Sequence, residues 1–180
     1  MLRLDTHAQF DGISRNLITK VLTSEEASKS SIDNEKISLL DFSKELPDAY
    51  TYNEMQCASL VLPNLKQRPY YWDRPWIGDF KDPSIIGSGD VIRISPHNKM
   101  VKILIRRESN SNCLFVTNQC NSRCLMCSQP PTEEPDSWLI DEIEQIIPLI
   151  DKNIKNLGIS GGEPTLAKNR LCKIISLCKD

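Results

Sequence analysis

Cys120, Cys124 and Cys127 stand in the spacing C-x3-C-x2-C and are the residues of this chain best suited to metal chemistry. Thiolates a few residues apart on one loop reach a common metal centre at small ordering cost, and metal binding lowers their pKa so that all three lose their protons. A cubic iron-sulfur cluster usually takes four cysteines. A compact trio therefore points to a cube with one iron left open for another ligand. Zinc competes with this reading, because a tetrahedral site would recruit a fourth donor such as Cys113. The strand-like run around Cys113 separates that residue from the loop. Three unrelated buried thiols would be an odd coincidence in a loop rich in Asn, Ser and Arg.

The second feature is Gly161, Gly162, Glu163 and Pro164, which carries no information alone and gains it from the elements around both motifs. The run CLFVT, from Cys113, reads as a short buried strand ending at Asn118 and Gln119. The cysteine loop follows, then SQPPTEEPDS, whose Pro130, Pro131 and Pro135 make either a stiff flap beside the metal or a rigid connector. Ser137 or Asp136 can cap a helix that carries Leu139, Ile143, Ile146, Ile147 and Ile150 at helical spacing, with Pro148 kinking it or ending it early. NLGIS reads as a second strand. A second helix starts near Thr165, with Leu171, Ile174, Ile175 and Cys178 on one face. Strand, helix, strand, helix is the pattern of parallel βα units. From Cys127 to Gly161 is about the 30 residues of one βαβ crossover, so both motifs fall at the carboxyl edge of one parallel sheet, where ligands bind. Cys172 and Cys178, on the last helix, read as buried or surface thiols and not as ligands of a further cluster.

Before this segment the chain is different. Residues 1–110 are expected to form a β-rich amino-terminal domain of unassigned purpose, and residues 111–180 the βα segment. Ile92 and Ile94, then Val101, Ile103 and Ile105, alternate with other residues around SPHNK, which predicts a hairpin with one buried face. His97 is then a solvated turn residue, and Arg93, Lys102, Arg106 and Arg107 form a wet strand face. Tyr70, Tyr71, Trp72, Trp76 and Phe80, between prolines, predict a small aromatic core or a groove for a peptide. Thr23 to Ser38 is polar enough for a surface loop or linker, and residues 41–65 fit helix and strand equally well.

Net charge is −2, from 22 basic and 24 acidic residues without long runs of either sign, which argues against a nucleic-acid or membrane-surface partner. No apolar run approaches the roughly 18 residues of a membrane span, and MLRLDTHAQFDG has no signal-peptide core. Seven cysteines, an odd number crowded around 113–127, favour metal over a disulfide framework. The expectation is a soluble, cytoplasmic protein.

The cysteine spacing together with Gly161, Gly162 and Glu163 resembles the radical S-adenosylmethionine (SAM) superfamily. The resemblance implies an α/β fold, the start of a partial (β/α)6 radical SAM barrel preceded by the β-rich domain. It implies a [4Fe-4S] cluster held by Cys120, Cys124 and Cys127, with S-adenosyl-L-methionine on the open iron. Gly161, Gly162 and Glu163 would meet the amino end of SAM, and Met126, at a position often aromatic in the superfamily, is either an adenine contact or a plain apolar loop residue. Reductive cleavage of the sulfonium then gives a 5′-deoxyadenosyl radical that abstracts hydrogen. No catalytic side chain is assigned. At about 30 residues per unit, Cys113–Asp180 has room for two of the six units, so the expectation is a truncated or split form of a longer enzyme. A non-catalytic remnant or cluster-binding subunit, and a zinc-binding module, are the competing expectations. The run NCLFVTNQCNSRCLMCSQPP further resembles the radical SAM maturase of the His-Xaa-Ser peptide-modification systems. That resemblance implies a small precursor peptide, a second radical SAM protein and an electron donor as partners.

Overall fold

A computed structural model describes residues 4–42, 57–127 and 130–179 and shows a mixed α/β protein with one large sheet. The chain divides into two compact units, residues 1–107 and 108–180. The first contains strands β1 (Asp5–His7), β2 (Gln9–Asp11), β3 (Leu17–Leu22), β4 (Ile37–Leu40), β5 (Ser59–Leu62), β6 (Trp76–Gly78), β7 (Val91–Ser95) and β8 (Met100–Ile105), with one short helix, α1 (Ser24–Ser28). Their order in the sheet is β1-β8-β7-β3-β4-β5-β6-β2. β1 and β2 are consecutive stretches of one segment, parted only by Ala8. One stretch pairs β8 and the other pairs β6, both antiparallel, so the two ends of the row are one segment and the sheet closes on itself. Closure removes both free edges.

Each face of this sheet has its own core. Ala8, Val21, Leu40, Val61, Ile77, Ile92, Ile94, Val101 and Ile103 fill the inside, together with Phe80. Leu22, Ile37, Leu39, Leu60, Leu62, Trp72 and Trp76 form an outer layer with Ala27 of α1. The four parallel strands β3 to β6 lie between the two layers, so β4, β5 and β6 are buried at every residue. The β7–β8 hairpin is antiparallel as its alternation predicts, and a register shift between Val91 and Ile92 lets both be buried. His97 is exposed in the turn.

Only the middle of Thr23–Ser38 is an exposed loop, and both ends of the stretch are ordered. Thr23 and Glu26 form a reciprocal capping box on α1, and Ile37 and Ser38 are fully buried in β4. The polar sequence hides this because Ser38 spends its hydroxyl inside the sheet, on Thr19 at 3.1 Å and on Ser59 at 2.7 Å. The aromatic run also splits: Trp72 and Trp76 are buried in the outer layer, Phe80 lies inside, and Tyr70 is 90% exposed. Part of the 41–65 stretch, residues 43–56, lies outside the described residues; Ser59–Leu62 is strand.

The second unit holds β9 (Asn112–Phe115), α2 (Trp138–Ile146), β10 (Leu157–Ser160) and α3 (Lys168–Leu177). β9 and β10 are parallel, with Asn112 opposite Leu157 and Phe115 opposite Ser160. Pro148 ends α2 early: the helix stops at Ile146 and Ile147–Leu149 continue as a 3-10 turn. A further 3-10 turn, Pro164–Ala167, precedes α3, so the α-helix begins three residues after Thr165. Of the apolar face read on α3, Ile174 is buried and Ile175 and Cys178 are exposed. Among the described residues no helix is long and apolar enough to cross a membrane.

Candidate metal centre

The cysteine loop leaves the carboxyl end of β9 and the Gly161–Glu163 segment leaves that of β10. Parallel pairing therefore delivers both to one edge. The two continue to pair beyond the strands. Val116 N–H donates to Ser160 O at 2.8 Å, Gly162 N–H to Thr117 O at 2.8 Å, and Glu163 N–H to Gln119 O at 2.8 Å. The glycines make this approach possible. A Cβ on Gly161, whose φ is +148°, would lie 2.5 Å from Thr117 O; one on Gly162 would lie 2.1 Å from Gln119 O and 3.0 Å from Cys120 Cβ. The close approach seen here is thus to the backbone just ahead of the first cysteine.

The base of the loop is held from its other side as well. Asn118 O accepts from Thr132 N–H at 3.2 Å, which joins the residues on either side of the cysteines. Asp136, 2% exposed, accepts from the Thr117 hydroxyl at 2.6 Å, from Asn118 N–H at 2.8 Å and from Arg170 Nη1 at 2.9 Å. Arg170 Nη1 also donates to Val116 O at 2.9 Å. Burial works to raise the Asp136 pKa, but the bonds from Thr117, Asn118 and Arg170 prevail and hold it below the usual carboxylate value. Neither candidate cap on α2 acts through its side chain: Ser137 makes no capping bond, and the Asp136 carboxylate turns back to β9.

Cys120, Cys124 and Cys127 form no disulfide, the first half-buried and the others exposed. All three line one cavity of about 710 Å³, with Arg123, Pro130 and Leu166 among its other walls. Cys120 Sγ accepts a hydrogen bond from Ser122 N–H at 3.4 Å, and Cys127 N–H donates to Cys124 O at 3.1 Å, so the loop folds back on itself between the cysteines. Among the described residues no three His, Cys, Asp or Glu side chains converge as a metal-ion site. The donor set nevertheless fits an iron-sulfur centre: three thiols, none in a disulfide, line one space, and one has a backbone N–H on its sulfur. Cys113 stays on β9, with its thiol on Leu114 O at 3.8 Å, and takes no part in the cavity lining. Cys57 belongs to the first unit, where burial pushes its thiol up to about 11 despite Arg74.

Glu163 caps the turn that follows it. Its Oε1 accepts from Thr165 N–H at 3.0 Å and from the Thr165 hydroxyl at 2.6 Å, and these bonds lower its pKa. Met126 is 95% exposed at the loop tip beside the equally exposed Leu125, so no protein surface packs on it. Ser128 and Gln129 of the proline-rich stretch lie outside the described residues; Thr132 and Glu133, further along it, line the cavity. Asp136 and Arg170 were not legible as a pair. An aspartate ahead of a helix reads as a cap, and nothing in the spacing of 117, 136 and 170 joins them.

The family model of the radical SAM superfamily matches residues 114–180, from β9 through the cysteine loop and Gly161–Glu163 to the end of the chain. No curated protein and no solved structure matches the chain.

Proposed function

We propose that residues 111–180 form the cluster-and-SAM end of a radical SAM enzyme that matures a peptide. The observation that carries this reading is three cysteines lining one cavity, on a loop laced to the Gly-Gly-Glu strand end, inside the segment similar to the superfamily. Cys120, Cys124 and Cys127 would hold a [4Fe-4S] cluster as thiolates. When bound, that cluster supplies an electron for reductive cleavage of S-adenosyl-L-methionine, chemistry that belongs to the cofactor. The chain's own part is positioning. Gly161 and Gly162 keep the β10 end flush against the start of the loop, and Glu163, its pKa lowered by the Thr165 bonds, presents a carboxylate for an ammonium group. Pro130 and Pro131 stiffen one wall of the cavity.

The peptide class rests on the likeness of NCLFVTNQCNSRCLMCSQPP to the His-Xaa-Ser system maturase, with a His-Xaa-Ser-repeat precursor as substrate and a second radical SAM protein and an electron donor as partners. Anaerobic incubation of reconstituted protein with SAM and dithionite tests the reaction class. Release of 5′-deoxyadenosine, abolished in Cys124→Ala, is expected. A loaded protein that releases none is a cluster-binding subunit, and the enzyme reading fails. A mass change in a His-Xaa-Ser-repeat peptide is expected under the finer reading, and an unaltered peptide beside active SAM cleavage contradicts it.

A further inference from the structure

Asp136 and Arg170 lie outside the cysteine loop and away from the cavity lining, yet their side chains bond Val116, Thr117 and Asn118, in the stretch that leads into Cys120. The Asp136 carboxylate takes the Thr117 hydroxyl, Asn118 N–H and Arg170 Nη1, and Arg170 Nη1 also holds Val116 O. Thr117 passes the restraint on, since its hydroxyl oxygen accepts from Gln119 N–H at 3.1 Å. The carboxylate therefore fixes the side of the β9 end that the Gly161–Glu163 segment does not reach. A buried carboxylate with both oxygens bonded, paired to a half-buried arginine, is a costly arrangement to keep unless geometry is gained from it. Here the geometry gained is the direction in which the chain enters the cysteine loop.

We infer that Asp136 and Arg170 are positioning residues that set the entry of the cysteine loop and thereby its grip on the cluster. This rests on the proposed function of the cysteines. The pair does not touch the cluster's ligands; it acts through Thr117, Asn118 and Gln119. Loss of the carboxylate frees the β9 end to turn, and Cys120 changes its orientation relative to Cys124 and Cys127.

The test uses the full chain, reconstituted anaerobically with iron and sulfide, as wild type, Asp136→Asn and Thr117→Val. Thr117→Val removes one hydroxyl of similar shape and leaves the ion pair in place, so it decides the matter if Asp136→Asn does not fold. Three quantities are read: iron and sulfide content, the rate of iron loss to a ferrous chelator, and the paramagnetic resonance spectrum after reduction. Circular dichroism of the same samples reports the folded fraction. The expected result is faster iron loss, by about 10-fold for Asp136→Asn and less for Thr117→Val, with an altered spectrum and an unchanged folded fraction. Equal content, rate and spectrum in a folded variant and the wild type overturn the inference, as does iron loss that merely follows the unfolded fraction. A wild-type chain that takes up no iron overturns the proposed function, and the inference with it.

Discussion

At the scale of single residues, two glycines with different surroundings make the sharpest contrast. A Cβ on Gly162 would meet Gln119 O at 2.1 Å, whereas one on Gly87 meets nothing nearer than Asp90 Oδ2 at 3.6 Å. Gly162→Ala is expected to destabilise the second unit by about 1–3 kcal/mol, as overpacking against backbone does. Gly87→Ala should stay within about 0.5 kcal/mol of wild type. Denaturant titration of the two variants measures both. Glu26 sets a pH dependence in the first unit. Burial opposes its ionisation, but bonds from Ser88, Arg107 and Thr23 bring its pKa from 4.5 down to about 2. A carboxylate with a lowered folded pKa contributes stability that is fully present above 4.5 and is lost as pH falls towards about 2. The denaturation midpoint of wild type is expected to fall across that window, and Glu26→Gln to flatten the fall. Parallel curves for the two proteins would remove Glu26 from this role.

At the scale of elements, the closed sheet concentrates stability in strands that touch two neighbours and two cores. Ile77, fully buried in β6 between β5 and β2, is expected to cost about 2–5 kcal/mol on replacement by Ala. Ile175 on α3, 43% exposed, should cost under about 0.5 kcal/mol. Thermal unfolding of the two variants compares them, and equal losses would contradict the burial argument. The same elements show what sequence can carry. The β7–β8 hairpin was legible because a sheet face that alternates between core and water writes period two into Ile92, Ile94, Val101 and Ile103. The β9-α2-β10-α3 order was legible for the matching reason, since α2 keeps Leu139, Ile143 and Ile146 on one buried face. Strands β4 and β5 were not. Buried on both faces, they lack alternation, and the hydroxyls of Ser38 and Ser59 make a buried pair look like loop chemistry. The cysteine spacing and Gly161–Glu163 stood out because local spacing carries them. The Asp136–Arg170 pair depends on contacts across the fold.

At the scale of the whole molecule, the two units differ in how completely they bury themselves. The first has a closed sheet and two apolar layers. The second has a two-stranded sheet, and Trp138, Ile159, Leu166 and Ile175 are exposed on it. Hydrogen exchange of the intact chain is therefore expected to leave amides of β3–β8 protected long after those of β9 and β10 have exchanged; the reverse order would contradict this account. The central claim concerns the three sulfurs of the second unit, and iron analysis addresses it most directly. Anaerobic reconstitution of the full chain should give about four iron and four sulfide per molecule, with Cys120→Ala, Cys124→Ala and Cys127→Ala each losing them. Wild-type protein that holds neither iron nor sulfide, or holds as much after any of the three substitutions, would contradict it.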